Sequence, residues 1–151
     1  TTLQGTDTYG YDSVYQLGTV SGNQAHNYQY DAVGNRQVTD GVTYTANNLN
    51  QYTDVGGTAY QNDTNGNLTS DGTNSYVYDV ENRLIKATTP SNIIEYEYDG
   101  LGRRTCKKIY DTGYSLLSTV YFIYDGDQII EERDASGTLL KSYIYAAFGI
   151  G

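Results

Sequence analysis

The sequence predicts an all-β fold of tandem antiparallel β-hairpins, joined into one continuous curled sheet or β-solenoid. Three observations carry that prediction. A Tyr-x-Tyr-Asp unit recurs along the 151 residues. Turn signals built on Gly, Asn and Asp separate short strand-like runs. No stretch keeps helical spacing for three turns.

The full copies are Tyr9-Gly-Tyr11-Asp12, Tyr28-Gln-Tyr30-Asp31, Tyr76-Val-Tyr78-Asp79 and Tyr96-Glu-Tyr98-Asp99. Tyr60-Gln-Asn62-Asp63 keeps the first Tyr and the Asp. Tyr44-Thr-Ala46-Asn47 keeps the first Tyr and exchanges Asp for Asn. Phe122-Ile-Tyr124-Asp125 exchanges the first Tyr for Phe, and Tyr143-Ile-Tyr145 opens an eighth copy without the Asp. The second aromatic position falls at residues 11, 30, 46, 62, 78, 98, 124 and 145, in steps of 19, 16, 16, 16, 20, 26 and 21. A fixed unit with variable connections fits these steps, so residues 1–151 are expected to form a single array of about seven to eight hairpin repeats.

Each part of the unit has a physical role. Tyr-x-Tyr has period two, which sends both rings to one face of a strand. Tyr9, Tyr11, Tyr28, Tyr30, Tyr44, Tyr60, Tyr76, Tyr78, Tyr96, Tyr98, Tyr124, Tyr143 and Tyr145 are therefore expected to pack between neighbouring rungs. The following Asp ends the strand by bonding backbone two residues on. Asp12, Asp31, Asp63, Asp79, Asp99 and Asp125 are the expected turn caps. Gly or Asn near the fourth position after Asp supplies a positive φ. Leu, Ile or an Arg stem then opens the returning strand, as in Gly66-Asn67-Leu68, Asn82-Arg83-Leu84 and Gly102-Arg103-Arg104. Asp134-Ala-Ser-Gly137-Thr-Leu139 reads as a copy lacking its leading tyrosines. Between units, Asp40-Gly41, Gly56-Gly57 and Asp71-Gly72 are hairpin signals. Residues 127–133 fit a strand with Ile129 and Glu131 on one face.

Composition narrows the function. There are 18 Tyr, 2 Phe, no Trp and no Met, with 17 Gly beside one Pro. A mean hydropathy of −0.58 understates what tyrosine rings can bury. The net charge of −9 argues against nucleic acid as a partner. No apolar run reaches the ~20 residues that span a bilayer. Cys106 is the single cysteine, so neither an intrachain disulfide nor a zinc cluster can be built on it. Its neighbours Arg103, Arg104, Lys107 and Lys108 would activate an exposed thiol.

The repeated Tyr-x-Tyr-Asp-x-x-Gly-Asn/Arg-Leu unit, present from Tyr9 to Tyr145, resembles the YD repeat of bacterial RHS (rearrangement hot spot) proteins. That repeat is shared with shell-forming subunits of insecticidal toxin complexes and with teneurins. Residues 121–151 are similar to the opening of the RHS-associated core, which in the family precedes a variable C-terminal segment, often a toxin. The resemblance implies a spiral of hairpins winding into a hollow shell around a polypeptide cargo, or an extracellular scaffold. It implies a secreted or cell-surface bacterial location. Full shells use many more repeats, so this chain is expected to be a fragment, a processed piece, or a subunit completed by copies of itself.

Chemistry finds little support. One Asp per repeat gives a row of carboxylates, whereas calcium needs six to eight oxygens at one point, so no metal or other cofactor is expected. Glu131 and Glu132 are adjacent on a strand and face opposite ways. His26, the single histidine, has no nucleophile motif beside it. The reading is a non-enzymatic scaffold, with other YD-repeat segments, copies of itself or a polypeptide cargo as partners. The alternative is a glycan- or partner-binding module using the off-pattern tyrosines Tyr15, Tyr52, Tyr110 and Tyr114. The apolar end carrying Tyr143, Tyr145, Phe148 and Ile150 is expected to self-associate as an added strand.

Overall fold

A period-two strand followed by a residue that bonds its own downstream backbone makes a hairpin, and repetition of that pair sets the whole architecture. The computed structural model describes residues 6–145. These residues are all β, in two antiparallel sheets whose strands follow chain order, and neither sheet closes into a barrel.

The chain divides into two units, one ending at Gly72 and one starting at Thr73. The first contains β1 (Thr8–Tyr11), β2 (Leu17–Ser21), β3 (His26–Tyr30), β4 (Arg36–Thr39), β5 (Val42–Ala46), β6 (Tyr52–Val55), β7 (Thr58–Ala59), β8 (Gln61–Asn62) and β9 (Leu68–Ser70). The second contains β10 (Ser75–Tyr78), β11 (Leu84–Thr88), β12 (Asn92–Tyr98), β13 (Arg104–Asp111), β14 (Leu116–Asp125), β15 (Gln128–Arg133) and β16 (Leu139–Ser142). Residues 127–133 are thus strand apart from the turn residue Asp127.

One turn geometry recurs. After Asp31, the Gly34 N–H donates to the Asp31 carbonyl at 3.1 Å, and the Asp31 N–H donates to the Asn35 carbonyl at 2.9 Å. Asp31 Oδ1 accepts from the Val33 and Asn35 N–H groups at 3.0 and 2.8 Å. The same pattern surrounds Asp12, Asn47, Asp63, Asp79, Asp99, Asp111 and Asp134. The residue at positive φ is the third after the Asp, one earlier than the sequence spacing suggested. It is Gly34, Gly66, Gly102 or Gly137, or Asn50 or Asn82. In two copies it is a tyrosine, Tyr15 and Tyr114, each at φ 65°. Every such hairpin also carries a bulge one step into the returning strand, for example between Glu97 and Tyr98 opposite Cys106 and Arg104.

Asp125 departs from the expected turn caps. It is the last residue of β14 and pairs with Gln128 across a two-residue turn of Gly126 and Asp127. Gly126 at φ 58° suits that tight connection. In the second unit, the β13–β14 and β15–β16 connections instead take the Asp turn, at the opposite edge from Asp79 and Asp99.

Deep burial is confined to the second unit. Ala87, Ile93, Cys106 and Thr119 are the buried residues among those described. Cross-strand register puts Tyr76, Ala87, Ile94 and Ile109 on one face. The other face carries Ile93, Glu95, Glu97, Cys106, Lys108 and Thr119.

Candidate functional site

The repeat builds its own contacts outward from the turn. The residue four after the Asp returns to the carboxylate. Asn35 Nδ2 donates to Asp31 Oδ2 at 2.8 Å and Asn67 Nδ2 to Asp63 Oδ2 at 3.0 Å. Where that residue is arginine, the bond is charged: Arg83 Nε to Asp79 Oδ2 at 2.7 Å and Arg103 Nε to Asp99 Oδ2 at 2.8 Å. Hydrogen bonds to the ionised form favour it. Accordingly, the Asn35 and Asn67 amides hold the Asp31 and Asp63 carboxyls below their ordinary range. The Arg103 side chain does the same for Asp99, and the Arg83 backbone N–H followed by its side chain does so for Asp79.

From the turn, contacts reach the next repeat. The Arg83 guanidinium lies 4.9 Å from the centre of the Tyr98 ring, and Arg103 lies 4.8 Å from that of Tyr124. These are cation–π distances. The tyrosine hydroxyl reaches back in turn. Tyr98 Oη donates to the Leu84 carbonyl at 2.7 Å, Tyr124 Oη to that of Arg104 at 2.9 Å, and Tyr145 Oη to that of Ile129 at 2.8 Å. Arg83 also donates to the Asp99 carbonyl at 3.5 Å, and Arg103 to that of Gly126. Aspartate, arginine and the next tyrosine therefore form a ladder that links hairpin to hairpin within the second unit.

The motif tyrosines are not equivalent. Tyr28, Tyr30, Tyr44, Tyr60, Tyr76, Tyr78, Tyr96, Tyr98, Tyr124 and Tyr143 are half-buried, whereas Tyr9 and Tyr11 in β1 are 58% and 62% exposed. Tyr143 Oη bonds Glu132, with Lys141 Nζ 4.5 Å from its ring centre. Tyr145 is exposed. Phe148 and Ile150, expected to self-associate with them, lie outside the described residues.

The off-pattern tyrosines separate. Tyr52 is half-buried, 5.3 Å from Tyr44 between ring centres, and its Oη accepts from the Arg36 N–H at 3.0 Å. It stands opposite Ala46, at the step where the motif tyrosine is missing, and makes the backward reach from the paired strand. Tyr110 is half-buried against Tyr114 at 5.3 Å. Tyr114 is 51% exposed, and its hydroxyl meets Lys86 Nζ at 2.5 Å and Glu95 Oε1 at 3.1 Å. Tyr15, at 90% exposure, presents its ring to solvent. One turn escaped the repeat reading: the Asp111 turn, recoverable from Tyr110-Asp111 with a Ser four residues on. The copy with Asn47 in place of Asp forms the same turn, and there Gln51 Oε1 accepts from Asn47 Nδ2 at 2.8 Å.

Residues with chemical potential are otherwise engaged. His26 Nδ1 meets Asp40 Oδ2 at 2.7 Å, and Asp40 Oδ1 accepts from the Asn27 N–H at 2.7 Å. This contact ties the β4–β5 turn to the start of β3, and the His26 bond is the main cause lowering the Asp40 carboxyl. Cys106 is 1% exposed; burial, with Glu97 adding and Lys108 opposing, raises its thiol above the ordinary range. The surrounding cations therefore do not produce a reactive thiolate. Glu131 pairs with Arg133 at 2.7 Å. Among the described residues no group of three or more His, Cys, Asp or Glu converges on one point, and no helix is long and apolar enough to cross a membrane.

Known proteins agree with the repeat. The family described as the teneurin YD-shell matches residues 2–149. The tRNA nuclease WapA of Bacillus subtilis (strain 168) is 36% identical over 135 residues, covering 81% of this chain and 6% of that protein. The tRNA3(Ser)-specific nuclease WapA of Bacillus spizizenii matches with the same identity and coverage. Among solved structures, the Tc holotoxin pore of Photorhabdus luminescens overlaps 85% of this chain and 5% of its own, at a TM-score of 0.40 and 16% identity. The chain thus spans about 6% of the length of the curated relatives it matches.

Proposed function

The chain belongs to the teneurin YD-shell family, and from that premise we propose that it is a non-enzymatic wall segment of a secreted or cell-surface bacterial shell. The observation that carries this reading is the ladder. Its charged and aromatic side chains are spent on joining one hairpin to the next, as a wall requires. The two WapA relatives are named as tRNA nucleases, and this chain corresponds to a small fraction of each. We assign it the scaffold part of such a protein. Its net charge of −9 also disfavours contact with tRNA phosphates.

A wall segment needs neighbours. Exposed Tyr9 and Tyr11 present the ring face that deeper repeats keep half-buried, and β16 presents exposed Leu139 and Leu140. Further YD repeats, in the same polypeptide or in another copy, would cover such surfaces, with a polypeptide cargo as the enclosed partner. Head-to-tail addition of copies gives rings where the rotation closes and filaments where it does not. Negative-stain electron microscopy of the purified chain across a concentration series tests completion between copies. Regular filaments, tubes or rings are expected. Separate monomers at the highest concentration would overturn assembly from copies and leave completion to repeats of the parent polypeptide.

A further inference from the structure

The β3–β6 region departs from the ladder in two ways that converge on one spot. In the Asp79 and Asp99 turns, the residue four after the Asp is an arginine that spends its charge on that carboxylate. In the Asp31 turn that place is taken by Asn35. Its amide satisfies Asp31 Oδ2 and also reaches Asn50 Oδ1 at 2.9 Å. The arginine of this hairpin is Arg36, five after the Asp, the place that Arg104 holds beside Arg103 in the Asp99 hairpin, and it forms no ion pair among the described residues. Its guanidinium sits between two rings, 5.5 Å from the centre of Tyr28 and 5.7 Å from that of Tyr44.

The second departure is Ala46. It occupies the position held by Tyr30, Tyr78, Tyr98 and Tyr124 in other copies. Tyr52 replaces the missing hydroxyl contact from the opposite strand but does not refill the space. A cavity of about 270 Å³ remains, lined by Asp31, Asn35, Arg36, Gln37, Tyr44, Thr45 and Ala46. Asp31 Oδ1 and Oδ2 are already occupied by three donors from its own turn, so the lining offers one cation without an ion-pair partner, with the Gln37 amide beside it.

We propose that this gap binds a small sugar acid. The sugar carboxylate takes the Arg36 guanidinium, for which a planar two-pronged donor is the natural partner. Its hydroxyls take the Gln37 amide, and its ring lies along Tyr44. The cavity is slightly smaller than the roughly 300–1,000 Å³ typical of drug-sized ligands, which suits a single sugar ring. A net charge of −9 works against anions in general, so selectivity has to arise locally from Arg36. The site is independent of whether the chain assembles.

The test is a calorimetric and NMR titration of the whole chain with glucuronate, glucose and acetate, repeated on A46Y and R36Q. Ala46→Tyr restores the repeat and fills the gap. Arg36→Gln removes the cation while leaving intact the backbone N–H that bonds Tyr52. Saturable glucuronate binding is expected, with glucose and acetate each about tenfold weaker or more, and a similar loss in both variants. Shift changes should centre on residues 35–37 and 44–46. The proposal fails if glucuronate does not saturate, if acetate or glucose binds equally well, or if R36Q binds like the native chain. R36Q decides the matter should A46Y not fold.

Discussion

The two units share one turn but differ in what they hang on it. In the first, strands run two to five residues and no described residue is buried. In the second, β12, β13 and β14 extend to seven, eight and ten residues, and all four buried residues lie on β11 to β14. Extra strand length carries the chain beyond the tyrosine pair, where Ile93, Ile94, Cys106 and Thr119 find cross-strand neighbours. The 16-residue repeats of the first unit have almost no strand left after the turn and the tyrosines. The Tyr-x-Tyr-Asp unit is thus sufficient for a hairpin, while a core depends on what is inserted between units.

The largest effect should come from testing that directly. Ile93→Ala in the second unit should cost about 2–4 kcal/mol, as for a buried isoleucine. Val38→Ala, half-buried in β4, should cost under about 1 kcal/mol. Hydrogen exchange by mass spectrometry reads each unit separately, which a single melting curve does not. Equal losses of protection would erase the distinction between the units.

Acid sharpens the comparison at a smaller scale. The carboxyls of Asp31 and Asp63 in the first unit, and of Asp79, Asp99, Asp111 and Asp134 in the second, are all held below the ordinary value of 3.8. A depressed carboxyl stabilises the fold above the unfolded-state value. That stabilisation is lost as pH falls through 3.8 toward the lower folded values. Both units should therefore weaken below about pH 4. Salt should separate them. Asp79 and Asp99 lean partly on Arg83 and Arg103, whereas Asp31 and Asp63 lean on neutral amides. At about 1 M salt the charged pairs are screened over a few ångström. Protection around residues 79–84 and 99–104 should then fall slightly more than around 31–36. Identical salt responses in a pH 5–7 exchange series would show that the ion pairs add nothing beyond the backbone bonds.

Much of this was legible in the sequence because period two and the Asp turn are local. All-β character, hairpin order and most turn positions depend on residues within five of each other. The rest depends on relations between repeats. Tyr52 looked like a free surface ring because nothing local says that Ala46, its cross-strand partner, has vacated a slot. Asp125 looked like the other caps, yet Gly126-Asp127 offered a shorter turn, with the bulge at Ile130 between Ile129 and Glu131. Asp111 was passed over because the places of the tyrosine pair hold Lys108 and Tyr110. Burial was the least legible property, since it is set by strand length on several neighbours at once.

The smallest effect isolates a single backbone position shared by the two units. Tyr15 and Tyr114 occupy the same turn position at φ 65°, where other copies place Gly or Asn. A bulky side chain there is strained, and it persists where surrounding contacts hold it. Tyr114 has such contacts in Lys86, Glu95 and Tyr110. Tyr15 is 90% exposed, and among the described residues its one hydrogen bond is the backbone bond of its turn, from its N–H to the Asp12 carbonyl at 3.2 Å. Tyr15→Gly should then stabilise the first hairpin by about 0.5–1 kcal/mol, because relief of strain outweighs the added freedom of the unfolded chain. Tyr114→Gly should destabilise, because the same relief comes with loss of the ring and of both hydroxyl contacts. Chemical denaturation of the two variants, followed by exchange in each unit, measures the pair. Opposite signs would show that one backbone geometry is tolerated for different reasons in the two units. A loss in both would mean that Tyr15 is held by contacts of its own, and the first hairpin would then have a bound surface in solution.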